Sequence, residues 1–205
     1  MDDQSSLAEW KVQNPFDRRA DYSRSSWDLR HVFQFAYVWE LPFGRARRFG
    51  GSWPVALDMV LGGWGVEGIT RYQTGGPVNV LLGQDRANVG STYQRPDVIR
   101  DPNTGPRTPE KWFDTDAFRM PAPYTYGNAG AFIVESDGRH NWDLSIAKQF
   151  SVYEQQRLEI RAELFNISNS VSMGDPNAQF SSPAFGQVTG ATASRQIQIA
   201  LRYAF

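Results

Sequence analysis

The sequence predicts an all-β fold: an antiparallel transmembrane β-barrel segment of about five long strands joined by long external loops. Three observations lead there. Apolar and polar residues alternate over stretches of roughly ten residues, the length that a tilted membrane strand needs and about twice that of an average soluble strand. Aromatic rings recur at both ends of these stretches. The connections are very unequal in length, and the long ones are rich in Pro, Gly, Asn and Asp.

Each element follows from its local pattern. Residues 1–26 read as an external loop region and 27–205 as barrel strands with their loops. In the first strand Phe33, Phe35, Tyr37, Trp39 and Leu41 share a face, with Gln34, Ala36 and Glu40 opposite beside Val32 and Val38. Leu41-Pro42-Phe43-Gly44 stops it, because proline lacks the donor that a ladder needs. Val55–Leu61 allows one helical turn closed by Gly62. The second strand, Trp64–Thr74, sets Trp64, Val66, Thr70 and Tyr72 against Glu67, Arg71 and Gln73, with Ile69 breaking the polar face. Gly75–Asn141 reads as an extended loop with small local hairpins. The third strand sets Trp142, Leu144, Ile146 and Phe150 against Asp143, Ser145, Ala147 and Gln149, with Lys148 the exception. A short link around Gln155-Gln156 leads to the fourth, where Leu158, Ile160, Ala162 and Leu164 oppose Arg157, Glu159, Arg161 and Glu163. Asn166–Ser194 is a second long loop. The last strand puts Ile197, Ile199, Leu201, Tyr203 and Phe205 on one side and Gln196, Gln198, Ala200, Arg202 and Ala204 on the other; a strand alone places i, i+2 and i+4 together.

Composition removes several function classes. With 40% hydrophobic and 14% aromatic residues among 205, the chain is too apolar for disorder. A net charge of −1 without a basic block excludes nucleic acid as a partner. The absence of cysteine removes disulfide scaffolds, thiolate metal sites and thiol nucleophiles. No apolar run approaches the ~20 residues of a spanning helix, which is compatible with a barrel, whose strands hide their hydrophobicity in every second residue. Met1-Asp2-Asp3-Gln4 has neither basic nor apolar signal regions, so an exported protein is expected to extend beyond these residues.

Alternation alone also fits a soluble sheet, with a carbohydrate-binding β-sandwich as that reading. Ring placement decides against it. Trp64 and Tyr72, and likewise Trp142 and Phe150, lie eight residues apart on one face; at ~3.3 Å per residue and a tilt near ~40° they are separated by roughly 20 Å, close to the ~25 Å between the two aromatic girdles of an outer-membrane barrel. Phe33, Phe35, Tyr37 and Trp39 join them as a lipid-facing girdle. Short turns inside and long loops outside then put the 151–156 link in the periplasm and the two long loops outside. The Pro42–Gly62 link falls on the periplasmic side and is long for such a turn.

The final strand, ending in register on Phe205, resembles the C-terminal assembly signal of outer-membrane barrels, carried by Ile197, Ile199, Leu201, Tyr203 and Phe205. A wider resemblance runs through Asp28-Leu29-Arg30-His31, Glu40-Leu41-Pro42-Phe43-Gly44, Leu61-Gly62-Gly63-Trp64 and Gln73-Thr74-Gly75-Gly76-Pro77. It continues through Trp112-Phe113 with Ala117-Phe118, Tyr126-Gly127-Asn128-Ala129-Gly130, and Asn141-Trp142-Asp143-Leu144-Ser145 with Lys148. Arg161-Ala162-Glu163-Leu164-Phe165-Asn166, Phe185-Gly186 and Arg195-Gln196-Ile197-Gln198 complete it. In order and spacing these motifs resemble TonB-dependent receptors of the Oar-like, carboxypeptidase-regulatory-like group. The resemblance implies a barrel of twenty-two strands plugged by an N-terminal domain. Its implied partners are outer-membrane lipid, the barrel-assembly machinery, TonB and the plug, and a transported substrate of unknown identity. Five strands cannot close a barrel, so the chain is expected to be a fragment of a longer receptor, with a structural or adhesive surface protein of the same architecture as the alternative.

No enzymatic constellation stands out, and no cofactor is expected. Gly-x-Ser-x-Gly is absent. His31 and His140 are far apart, and Asp17, Asp21 and Asp28 among Arg18, Arg19 and Arg24 follow no metal-ligand spacing. Arg157, Glu159, Arg161 and Glu163 form a charge ladder facing the lumen, expected to be self-paired. Trp112, Phe113, Tyr124 and Tyr126 are candidate stacking surfaces for a substrate ring, with anchoring of the loop against itself the expected role.

Overall fold

The computed structural model describes residues 12–45, 47–153 and 156–205. Residues 1–11 of the predicted external region, and Gln155 in the predicted link, lie outside the described residues. In chain order the elements are β1 (Val32–Glu40), α1 (Val55–Leu61), β2 (Trp64–Gln73), β3 (Pro77–Val78), β4 (Asp97–Val98), β5 (Phe118–Arg119), β6 (Val134–Glu135), β7 (Arg139–Tyr153), β8 (Gln156–Phe165) and β9 (Gln196–Ala204), with three short 3-10 turns. The five long strands begin and end within a few residues of the alternating stretches, because period-two patterning is what a two-faced strand requires.

The long strands form one sheet in the order β1-β2-β7-β8-β9, open at β1 and β9. β1 and β2 run antiparallel: Leu41 N–H donates to Trp64 C=O at 2.9 Å at one end, and Thr74 N–H to His31 C=O at 3.0 Å at the other. β7 and β8 pair from Leu144↔Leu164 to Tyr153↔Gln156, with an irregularity between Ser151 and Tyr153. β8 and β9 pair without a break from Arg157↔Ala204 to Phe165↔Gln196.

The chain forms two compact units: Val32–Tyr72, His140–Val171 and Ala193–Phe205, the sheet; and Gln73–Arg139 and Ser172–Thr192 with the segment up to His31, the loops. The loop unit corrects one expectation. The long loop is neither extended nor built of local hairpins. Its two small ladders join distant residues, β3 with β6 through Val78↔Val134 and β4 with β5 through Val98↔Phe118. Around them Val80, Trp112, Phe113, Ala117, Phe118, Ala129, Val134 and Val188 make a buried core. Phe185 is the hub of its rings, edge-on to Phe113, Phe118 and Phe180 at 5.1–5.7 Å. Edge-to-face packing places the positive rim of one ring on the negative face of the next.

Several of the resemblance motifs have plain structural work in this unit. Gly127 packs against the Arg95 and Pro96 carbonyls, where a Cβ has no room. Asn128 closes a reciprocal pair: its side chain accepts from Val98 N–H at 2.7 Å, while its own N–H donates to Asp97 at 2.9 Å. Trp112 N–H donates to Gly186 C=O, and Gly186 takes a φ of +83° that favours glycine.

Candidate functional site

The register sorts the sheet into two faces. Even residues of β7 pair with even residues of β8 (Ile146↔Ala162, Phe150↔Leu158), and these with odd residues of β9 (Ala162↔Ile199, Leu158↔Tyr203). Contacts extend the same face across β2 and β1: Tyr72 packs on His140 at 5.4 Å and on Phe33 at 6.4 Å, and Trp142 Nε1 donates to the Tyr37 hydroxyl at 3.2 Å. Phe33, Phe35, Tyr37, Trp39, Trp64, Tyr72, Trp142 and Phe150, the eight predicted girdle residues, therefore share one face with Ile197, Ile199, Leu201 and Tyr203. This face is uncovered: Ile199 is 77% exposed and Leu201 69%. Soluble monomers rarely expose a contiguous apolar patch beyond a few hundred Å².

The opposite face carries the charge ladder. Arg161 stands at its centre, donating to Glu159 at 2.9 Å and lying 3.8 Å from Glu67 on β2 and 3.9 Å from Glu163. Glu159 also accepts from Gln149 Nε2 at 3.1 Å. Gln149, Arg157, Glu159, Arg202 and Ala204 line a concavity of about 190 Å³ on this face. Opposite charges on neighbouring strands satisfy one another, which makes a hydrated polar wall rather than a poised acid and base.

Lys148, the exception on the apolar face, is buried. Its ammonium donates to the Gly62 C=O and to the Asp58 C=O at the end of α1, and lies 5.5 Å above the Trp64 ring and 5.0 Å above Phe150. The carbonyls that close a helix are natural acceptors for a cation. The sequence marked Lys148 as anomalous, but its partner lies 86 positions away.

The loop unit holds the remaining candidates. Trp112 (4% exposed) and Phe113 (1%) are core residues, so their rings are engaged by the protein itself, in the anchoring role expected of them and not as stacking surfaces. Tyr124, at 77% exposure and a φ of +62°, is presented outward, and Tyr126 is half-buried. The charged segment before β1 is tied into this unit. Arg95, 1% exposed, bonds to Asp21 at 2.5 Å and to the Ala20 and Ala129 carbonyls. Arg24 and Arg30 converge on Glu135 at 3.3 and 3.2 Å. Sequence reading missed these pairs, which join residues with no periodic relation. The Val89 N–H holds the Asp85 carboxyl below its ordinary value, helped by Gly90 N–H and Gln94. A hydrogen bond from Arg100 at 2.5 Å does the same for Asp114. Burial pushes the Tyr93 hydroxyl up. His31 bonds Thr74 through its backbone, and His140 contacts Tyr72. Among the described residues no cluster of three or more His, Cys, Asp or Glu could hold a metal.

A long-stranded antiparallel sheet with one uncovered aromatic and aliphatic face and one charged, self-paired face has the construction of a membrane β-barrel wall. The family model for an outer membrane beta barrel domain matches residues 1–198, and the chain belongs to this family. The protein is located in the bacterial outer membrane. Neither the curated proteins nor the solved structures gave a match.

Proposed function

We propose that this chain supplies five wall strands and the folded outer loops of a TonB-dependent receptor of the Oar-like group, which moves a substrate across the outer membrane and is not an enzyme. The apolar face meets lipid, with Phe33, Phe35, Tyr37, Trp39, Trp64, Tyr72, Trp142 and Phe150 as its girdle, and the Glu67–Arg161 side lines the lumen. The observation that carries the reading is the continuity of both faces across five strands, together with the open edges of β1 and β9. In hydrocarbon an unpaired backbone group costs several kcal/mol, so both edges require further strands, and a large barrel supplies them. The order of motifs from Asp28-Leu29-Arg30-His31 to Arg195-Gln196-Ile197-Gln198 supports the receptor group. TonB, the plug and the barrel-assembly machinery are the proposed partners, the last reading Ile197, Ile199, Leu201, Tyr203 and Phe205.

A structural or adhesive surface protein is the second reading, favoured by the buried aromatic core of the loop unit, which gives the loops a fixed surface. Co-purification separates the two. The full-length protein, extracted from outer membranes, is mixed with the periplasmic domain of TonB. Retention of that domain is the result expected for the receptor; an intact, heat-modifiable barrel that never retains it overturns this reading in favour of the second.

A further inference from the structure

The link from Leu41 to Gly63 is built unlike a water-facing loop. Six of the seven residues of α1 are apolar, Asp58 being the exception. Asp58 is turned inward: its carboxylate accepts from Arg45 N–H at 2.7 Å and packs against Gly44 and Gly62. The apolar residues are left outside, with Val55, Met59 and Val60 each more than half exposed. A short helix apolar around its open perimeter gains nothing from water. Lys148 fixes where this helix sits. It belongs to the apolar face of the sheet through Lys148↔Ile160, and its ammonium holds the Gly62 and Asp58 carbonyls. The end of α1 is thereby held on the apolar side of the sheet, near the short β7–β8 connection. The exposed residues of α1 continue the uncovered apolar face.

Beside them the link carries three exposed arginines, Arg45, Arg47 and Arg48, against one acid, Asp58. Arg47 reaches Glu40 at 2.5 Å, and Arg48 lies 5.5 Å over the Phe49 ring. An apolar helix lying against a membrane-facing wall, flanked by arginines and rings, is the pattern of an element at the boundary between headgroups and acyl chains.

We propose that the Leu41–Gly63 link is an interfacial anchor: α1 lies in the periplasmic leaflet of the outer membrane, and Arg45 and Arg48 bind the phosphates of anionic phospholipids. The leaflet follows from loop lengths, since the short β7–β8 connection marks the periplasmic end. The inference rests on the lipid-facing assignment of the sheet made above and is independent of TonB. It also accounts for a connection far longer than a periplasmic turn requires.

These 205 residues contain no cysteine; with any cysteine elsewhere in the full-length protein replaced by serine, Val60→Cys and, separately, Ile199→Cys each give a single site for a nitroxide label. The full-length protein is reconstituted into vesicles of phosphatidylcholine, with and without phosphatidylglycerol, and label access to oxygen and to a water-soluble nickel chelate is compared. The expected result is that both labels are shielded from nickel, and that phosphatidylglycerol increases the shielding at position 60 alone. Arg45→Gln/Arg48→Gln, or high salt with the arginines intact, abolishes that increase. A nickel-accessible Val60 label beside a shielded Ile199 label overturns the anchor and leaves the barrel wall standing. Nickel access at both sites overturns the wall assignment and the anchor with it. Shielding at Val60 that ignores phosphatidylglycerol, salt and the arginines overturns headgroup binding.

Discussion

The sheet and the loop unit use the same kinds of residue in opposite ways. In the loop unit Val80, Leu82, Phe113 and Phe118 are at most 1% exposed, packed as an interior built for water outside. In the sheet, comparable side chains such as Ile197, Ile199 and Leu201 are more than 60% exposed, and no second layer covers them within that unit. The charged residues are distributed to match. Arg95 is sunk into the loop interior against Asp21, whereas Arg161, Glu159 and Glu67 stay partly solvated along one side of a wall. One sequence is written for two solvents. A buried residue in the loop unit owes its stability to the hydrophobic effect, and under the proposed lipid-facing assignment an apolar residue of the sheet owes its place to the bilayer.

The contrast can be broken by substitution. Phe113→Ala is expected to cost about 3–5 kcal/mol, because the neighbouring rings of Phe118 and Phe185 cannot collapse fully into the cavity. Limited proteolysis will detect it as faster cleavage within 73–139 while the heat-modifiable mobility of the barrel is unchanged. Ile199→Arg places a charge on the uncovered face and is expected to cost about 2–4 kcal/mol near the bilayer centre, read as a lower urea midpoint for the folded barrel. Gln198→Arg, one residue earlier but beside Glu163, should barely move that midpoint, and an equal loss at both positions would erase the distinction between faces.

Backbone crowding sharpens the loop side of the comparison. Gly127→Ala forces a Cβ into the Arg95 and Pro96 carbonyls, with an expected cost of about 1–3 kcal/mol, again read by proteolysis of the loops. Acid acts there too. The carboxyls of Asp85 and Asp114 are held below their ordinary values, so their stabilisation is complete above the unfolded value of about 3.9 and fades as pH falls through the depressed folded values. Loop protection should therefore drop as pH is lowered below about 4, and Asp85→Asn should flatten part of that drop. The smallest effect belongs to the charge ladder. Glu67→Gln removes one long contact to Arg161 and should change barrel stability by less than about 1 kcal/mol, less still in high salt.

How far the sequence reached follows the same division. The five long strands were legible because the period of two is local, and even α1 was marked by Val55–Leu61 before Gly62. Lys148 and the long Pro42–Gly62 link stood out as two anomalies. Their common cause, the ammonium on the Gly62 carbonyl, is a contact between distant segments that no window of sequence contains. The loop core was illegible for that reason. Val78 with Val134, Val98 with Phe118, and Arg95 with Asp21 obey no periodicity, and the anchoring expected of Trp112 and Phe113 came without the partners they anchor to. Ile69 and Val38 remain exposed on the polar face, and nothing in the structure explains them.

The bridge between Leu81 and Gln179 and the bond from Trp112 to Gly186 draw 172–192 into the same body as 73–139. Between these two stretches of chain run β7 and β8, out to the short turn and back. The loop unit therefore lacks a complete interior until that hairpin has been made and its far end returned. Closing such distant loops is slow compared with zipping neighbouring strands, so the wall should precede the surface in the order of events during biogenesis. Protease resistance of the loop unit then reports that the strands between its two stretches have already been threaded.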